Sequence, residues 1–160
     1  MPRGRGKSRR PGGRSRRPFA WAAVVLLAGA APAIAADGGL GIELNRLEPV
    51  DSGCRLSFVL TNTMDVSVDA LSMEAVLFDG EGRVDRFLLL KARPLPAGRT
   101  RVQQFDVGET SCDRIARVLL NDVTACAGGG LTPQSCLESI RPTSRSGVPF
   151  TTTLAPPPTE

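Results

Sequence analysis

The chain has 160 residues, 20 of them basic, 16 acidic and none histidine, so serine–histidine and cysteine–histidine nucleophile systems are excluded at the outset. Its formal charge of +4 belongs to one end: residues 1–17 carry eight basic side chains, from Arg3 to Arg17, and no acid. Beyond residue 35 the balance is 12 − 16 = −4, a body with no bias toward nucleic acid or anionic membrane.

The basic arm is followed by an apolar run from Phe19 to Ala31 and then by Pro32-Ala33-Ile34-Ala35. Basic, apolar, then small residues at the two positions a signal peptidase reads is the order of a secretory signal peptide, with cleavage expected after Ala35 or Ala36. Ser15-Arg16-Arg17-Pro18-Phe19 resembles the core of a twin-arginine export signal. Ala20-Trp21 stand where Leu-Lys often follows, so the twin-arginine and general secretory routes stay open together. The rival readings are a nucleic-acid-binding arm and an uncleaved anchor, for which Phe19–Ala36 is short and is interrupted by Pro32.

The rest reads as one domain of common size, 37–140, with a tail at 141–160. Gly41–Glu48 is a first strand in which Ile42 and Leu44 share a face and Leu47 breaks phase, a sign of a bulge. Cys54–Asn62 is the strand around which the others are organised. Cys54, Leu56, Phe58 and Leu60 alternate with Arg55, Ser57, Val59 and Thr61, and Asn62-Thr63 ends the run. Leu71–Phe78 alternates likewise and leads into Asp79-Gly-Glu-Gly82, a hairpin turn. Arg83–Lys91 is the fourth strand; Phe87-Leu88-Leu89-Leu90 is apolar on both faces, which predicts cover on both sides. Two prolines break the chain at 93–98, and Thr100–Val107 is the fifth strand. Ile115–Asn121 is the sixth, with a helix over Asp113–Leu120 as its rival. Residues 126–136 read as a Gly-rich loop. After Arg141, five prolines among Thr and Ser predict a disordered tail.

Cys54, Cys112, Cys126 and Cys136 all lie beyond the export segment. An even count there reads as two disulfides. Zinc fits poorly, because the intervals hold 57, 13 and 9 residues and histidine is absent. The 126–136 loop can fold back to pair its own cysteines, leaving Cys54 for Cys112. Cys54–Cys126 with Cys112–Cys136 remains open if the second and sixth strands are antiparallel neighbours.

Other chemistry is thin. Lys91, the one lysine beyond residue 35, ends an apolar strand. Asp79, Glu81 and Asp85 cluster at a turn and read as solvated acids before they read as a calcium loop or paired carboxylates. Met64 and Met73 read as core or rim rather than copper ligands. No catalytic, cofactor or metal site is expected.

The runs Cys54–Asn62, Leu71–Gly82, Phe105-Asp106, Cys112–Ile115, Leu119–Cys126 and Cys136 resemble a family of uncharacterised exported bacterial proteins labelled by a twin-arginine-type signal. The resemblance implies an exported, disulfide-bearing β domain and no activity, so no residue role comes with it. The alternation also resembles small sandwich modules that bind partners. The expectation is therefore an all-β, antiparallel, immunoglobulin-like sandwich of six to seven strands, stapled by disulfides. It would be a periplasmic or secreted, non-enzymatic module for another protein or an envelope component. The alternatives are an enzyme using carboxylates alone, at Asp79/Glu81/Asp85 or Asp113/Asp122, and an envelope subunit that pairs through a sheet edge.

Overall fold

The computed structural model describes residues 38–154. The export motif at Arg16 and Arg17, the cleavage positions Ala35 and Ala36, and residues 155–160 lie outside the described residues.

Two four-stranded sheets pack as a sandwich. One has the order β5-β2-β1-β7 and the other β4-β3-β6-β8. The strands are β1 (Leu40–Val50), β2 (Gly53–Asn62), β3 (Ala70–Phe78), β4 (Val84–Ala92), β5 (Thr100–Gly108), β6 (Arg117–Ala127), β7 (Ile140–Ser144) and β8 (Phe150–Thr152). A short 3-10 turn, Cys112–Arg114, precedes β6, and one helix, α1 (Pro133–Ser139), follows it.

β2 has a strand on each side, β1 and β5, both antiparallel. Its alternation decides the layer: Cys54, Leu56, Phe58 and Leu60 are buried against Met73, Ala75 and Leu77 of β3 and Val118 and Leu120 of β6 in one core. Burying such side chains contributes roughly 1.5–3 kcal/mol each, which is why a period-two apolar face fixes register. β1 is bulged as its sequence predicts. The register slips between Leu44 and Arg46, so Leu44 faces Phe58 and Leu47 faces Leu56. An extra residue turns two leucines three positions apart toward the same layer. β6 slips twice, and Leu120 and Val123 both reach the core.

The structure corrects four sequence expectations. Eight strands form rather than six or seven, and two pairings, β1–β7 and β6–β8, are parallel. Residues 141–154 are not a tail: they complete both sheets, with Ile140, Phe150 and Thr152 buried. Composition averaged over the segment hides the apolar residues that order it, and Pro142 is harmless on an edge strand, which needs fewer donors. The 126–136 loop holds the start of α1. Thr132 caps it through the Ser135 amide, Ser135 returns the bond, and Pro133 opens the first turn, a start signal that Thr132-Pro133 carries in the sequence. Finally, β4 is covered on one face only: Phe87 and Leu89 are 60% and 55% exposed. At 113–120 the 3-10 turn takes the first residues and the strand takes the rest.

Candidate functional site

Cys54 joins Cys112 with a Cα separation of 4.9 Å, and Cys126 joins Cys136 at 6.5 Å. The first bond crosses the sandwich. β2 and β6 belong to different sheets, so neither parallel nor antiparallel neighbours bring the cysteines together; the 3-10 turn does, by laying Cys112 beside the start of β2. The second bond ties α1 back onto β6.

A hollow of about 580 Å³ lies beside the first disulfide, lined by residues 49–53 and 109–113. Glu109 has φ +60 there, held by its amide donating to the Ser52 carbonyl at 2.7 Å. Among the described residues no group of three or more acidic or cysteine side chains is arranged to hold a metal ion.

The acids singled out in the sequence are engaged. Asp79 closes the β3–β4 turn by accepting from the Glu81 and Arg83 amides at 2.9 Å each, and the Arg83 amide leads the causes that hold its carboxyl below the usual carboxylate range. Glu81 pairs with Arg83 as well. Asp85 accepts from the Thr110 hydroxyl at 3.0 Å and pairs with Arg86 at 3.1 Å and Arg114 at 3.2 Å. The Thr110 bond, then the two guanidiniums, lower its pKa against the opposing effect of burial. A general acid needs the reverse shift. Asp113 sits on the 3-10 turn, while Asp122 lies beside Glu74 in the β3–β6 ladder. Lys91 is an exposed strand residue, and Met64 and Met73 pack in and against the core.

The feature that the sequence did not predict is the outer face of β4. Leu88 and Leu90 turn toward the core, so Val84, Phe87, Leu89 and Lys91 turn outward. Val84, Phe87 and Leu89 are three of the five large apolar side chains exposed among the described residues. Phe87 stands beside Val76, and Val76 beside Leu119, giving an apolar row across three strands. Around that row the face is closed off. The Arg117 guanidinium lies 3.8 Å over the Phe78 ring, and Asn121 donates to Glu74 at 2.7 Å. β4 is also an outermost strand, so its far backbone edge has no strand neighbour among the described residues. The apolar letters were visible in the sequence; their exposure was not, because sequence cannot say which strand ends up outermost.

Fold and surface together define a disulfide-stapled β-sandwich with one bare, apolar-faced edge strand. No protein-family model and no curated protein matches the chain, so the family resemblance stands on its motifs alone. Among solved structures it is similar to IrmA from Escherichia coli, at 14% identity and a TM-score of 0.49, over 77% of this chain and 98% of that one. A likeness of that size carries no functional conclusion.

Proposed function

We propose that this protein is an exported, non-enzymatic binding module that engages another protein or envelope component through the outer face and free edge of β4. The observation that carries the reading is the row Val84, Phe87 and Leu89, more than half exposed on a strand whose far edge has no strand neighbour among the described residues. Exposed apolar side chains that form a row, rather than lying scattered, mark interaction sites, and a bare edge supplies main-chain donors and acceptors to whatever docks there. Export is supported by the basic–apolar–small order of residues 1–35 and by two disulfides, which persist in oxidising compartments. No helix among the described residues is long and apolar enough to cross a membrane. The lowered pKa values of Asp79 and Asp85 weigh against carboxylate catalysis at that turn.

A photocrosslinking side chain at Phe87, in protein expressed with its own export segment, tests this. The expected result is a discrete adduct that a matching probe at Asp122, elsewhere on the same sheet, does not give. Failure of Phe87 to give any adduct, or equal adducts from both positions, would sink the reading.

A further inference from the structure

We propose, resting on that reading, that the partner contributes an extended strand that adds to the edge of β4 and carries, on the face it shares with Phe87 and Lys91, apolar side chains at one end and acidic side chains at the other. The inference comes from charge. The described body of this protein is acidic overall, yet residues 86–105 contain Arg86, Lys91, Arg93, Arg99 and Arg101 and no acid. Lys91, Arg93, Arg99 and Arg101 take no part in the ion pairs formed among the described residues. Of the other arginines, Arg83 is answered by Asp79 and Glu81, Arg86 and Arg114 by Asp85, Arg55 by Asp106, Arg145 by Glu43 and Arg46 by Glu48, while Arg117 lies over the Phe78 ring and Arg141 donates to the Glu138 and Ile140 carbonyls.

Lys91, Arg93, Arg99 and Arg101 are gathered by the fold at one end of the apolar row. Along β4 the outward positions read Phe87, Leu89, Lys91, with Arg93 at the next alternate position. The Arg93 amide donates to Gln103 Oε1 of β5 at 3.1 Å. Arg101 stands on the same face of β5 as Gln103, since they pair with Leu60 and Phe58, which both face the core. Arg99 and Arg101 line a shallow hollow of about 330 Å³ beside this end. A strand laid along β4, in either direction, therefore meets two apolar positions and then two basic ones.

Three occupants compete. A membrane surface or anionic polymer would answer the charges, but it would leave the edge amides and carbonyls without partners. A second copy of this chain would answer the edge and not the charge. Antiparallel pairing of two β4 strands about Leu88 sets Phe87 against Leu89, which is favourable. It also sets Arg93 of one copy against Arg83 of the other and Lys91 against Asp85, whose carboxylate already has three partners. Like charges opposite one another across a strand pair are destabilising. An acidic–apolar polypeptide strand satisfies the edge, the apolar row and the basic end together.

The test uses the disulfide-bonded protein and two synthetic peptides of about eight residues, one with threonine at every second position and, at the positions between, two valines followed by two glutamates, and one with lysine in place of glutamate. Backbone NMR shifts should move in β4 and residues 91–101 on adding the glutamate peptide, with affinity falling as salt rises. The Lys91→Glu/Arg93→Glu double variant should bind that peptide at least about tenfold more weakly and should now prefer the lysine peptide. Equal binding of both peptides by the unaltered protein, or shifts centred elsewhere, overturns the acidic-strand inference. If the peptides fail while Phe87 still crosslinks a partner, the inference falls and the binding-module reading stands. If Phe87 crosslinks nothing, both fall. A concentration-dependent dimer that protects β4 assigns the edge to a second copy and also overturns it.

Discussion

Asn62 has no exposed surface, and its whole amide is used. Its Nδ2 donates to the Val66 carbonyl at 2.8 Å and to the Leu95 carbonyl at 3.1 Å, and its Oδ1 accepts from the Met64 amide at 3.0 Å. The sequence shows that Asn62 ends a strand; it does not show Leu95, which is brought close by the 93–98 break. Asn62→Ala should cost on the order of 2–3 kcal/mol in urea melts, because buried backbone groups lose their partners. The β3–β4 turn permits a sharper comparison. Gly82 has φ +76 with open space around it, while Gly80 has equally open space and no positive φ. Gly82→Val should therefore cost on the order of 1–2 kcal/mol and Gly80→Val much less, a contrast that isolates backbone conformation from crowding. Asp85 gives a pH signature. Its folded pKa is lowered, chiefly by Thr110, so the stability it contributes is complete above the unfolded carboxylate value and is lost as pH falls through the folded value. Between about pH 6 and about pH 3, Asp85→Asn should lose less stability than the unaltered protein. Parallel loss in both would show that Asp85 is not a source of the acid sensitivity.

At the scale of elements, what the sequence made legible was the set of apolar faces long enough to alternate. β1, β2, β3 and the β3–β4 turn lie within two residues of their sequence bounds, and the Leu47 phase break marks a real bulge. What stayed hidden depends on position in the sheet. A strand of three residues such as β8 cannot announce itself by periodicity, and the two-faced apolar run in β4 looks the same whether the outer face is covered or bare. The candidate surface was therefore illegible for the same reason that β4 was misread. The disulfides act on different elements, and their removal should separate. Cys126–Cys136 closes ten residues and holds α1 to β6, so changing both to Ser should cost about 2–3 kcal/mol and speed amide exchange in α1 first. Cys54–Cys112 closes 58 residues across the two sheets and should cost about 4 kcal/mol, with exchange rising throughout. Identical exchange patterns in the two variants would show that neither bond has a local element to itself.

Over the whole molecule, the last described residues close the sandwich on the side away from β4 and β5. β7 pairs with β1 from Leu40↔Ile140 to Leu44↔Ser144, and β8 pairs with β6 from Val118↔Phe150 to Leu120↔Thr152. One segment thus covers the edges that β1 and β6 would otherwise present, and the turn between β7 and β8 is fastened by Ser144, whose hydroxyl donates to the Val148 carbonyl at 2.6 Å. Phe150 meets the Phe58 ring edge-on at 5.5 Å, in the centre of the core. Among the described residues the outermost strands are β7 and β8 on one side and β4 and β5 on the other, and the β4–β5 side carries Lys91, Arg93, Arg99 and Arg101, which take part in no ion pair there. Ending the chain at Ser139 removes the buried Ile140 and Phe150, worth roughly 1.5–3 kcal/mol each, and the aromatic pair, worth about 1 kcal/mol more. It also opens the edges of β1 and β6, which then become templates for pairing with other chains. That loss approaches the lower end of the roughly 5–15 kcal/mol by which domains are stable, so the truncated chain should be largely unfolded or aggregated. Ending it at Leu154 keeps every described strand and should leave the melting curve unchanged. The two truncations discriminate cleanly, because a dispensable tail predicts no effect from either. A chain ending at Ser139 that still melts cooperatively, at the same urea concentration as the full protein, would show that β7 and β8 are accessories to the sandwich rather than part of its closure.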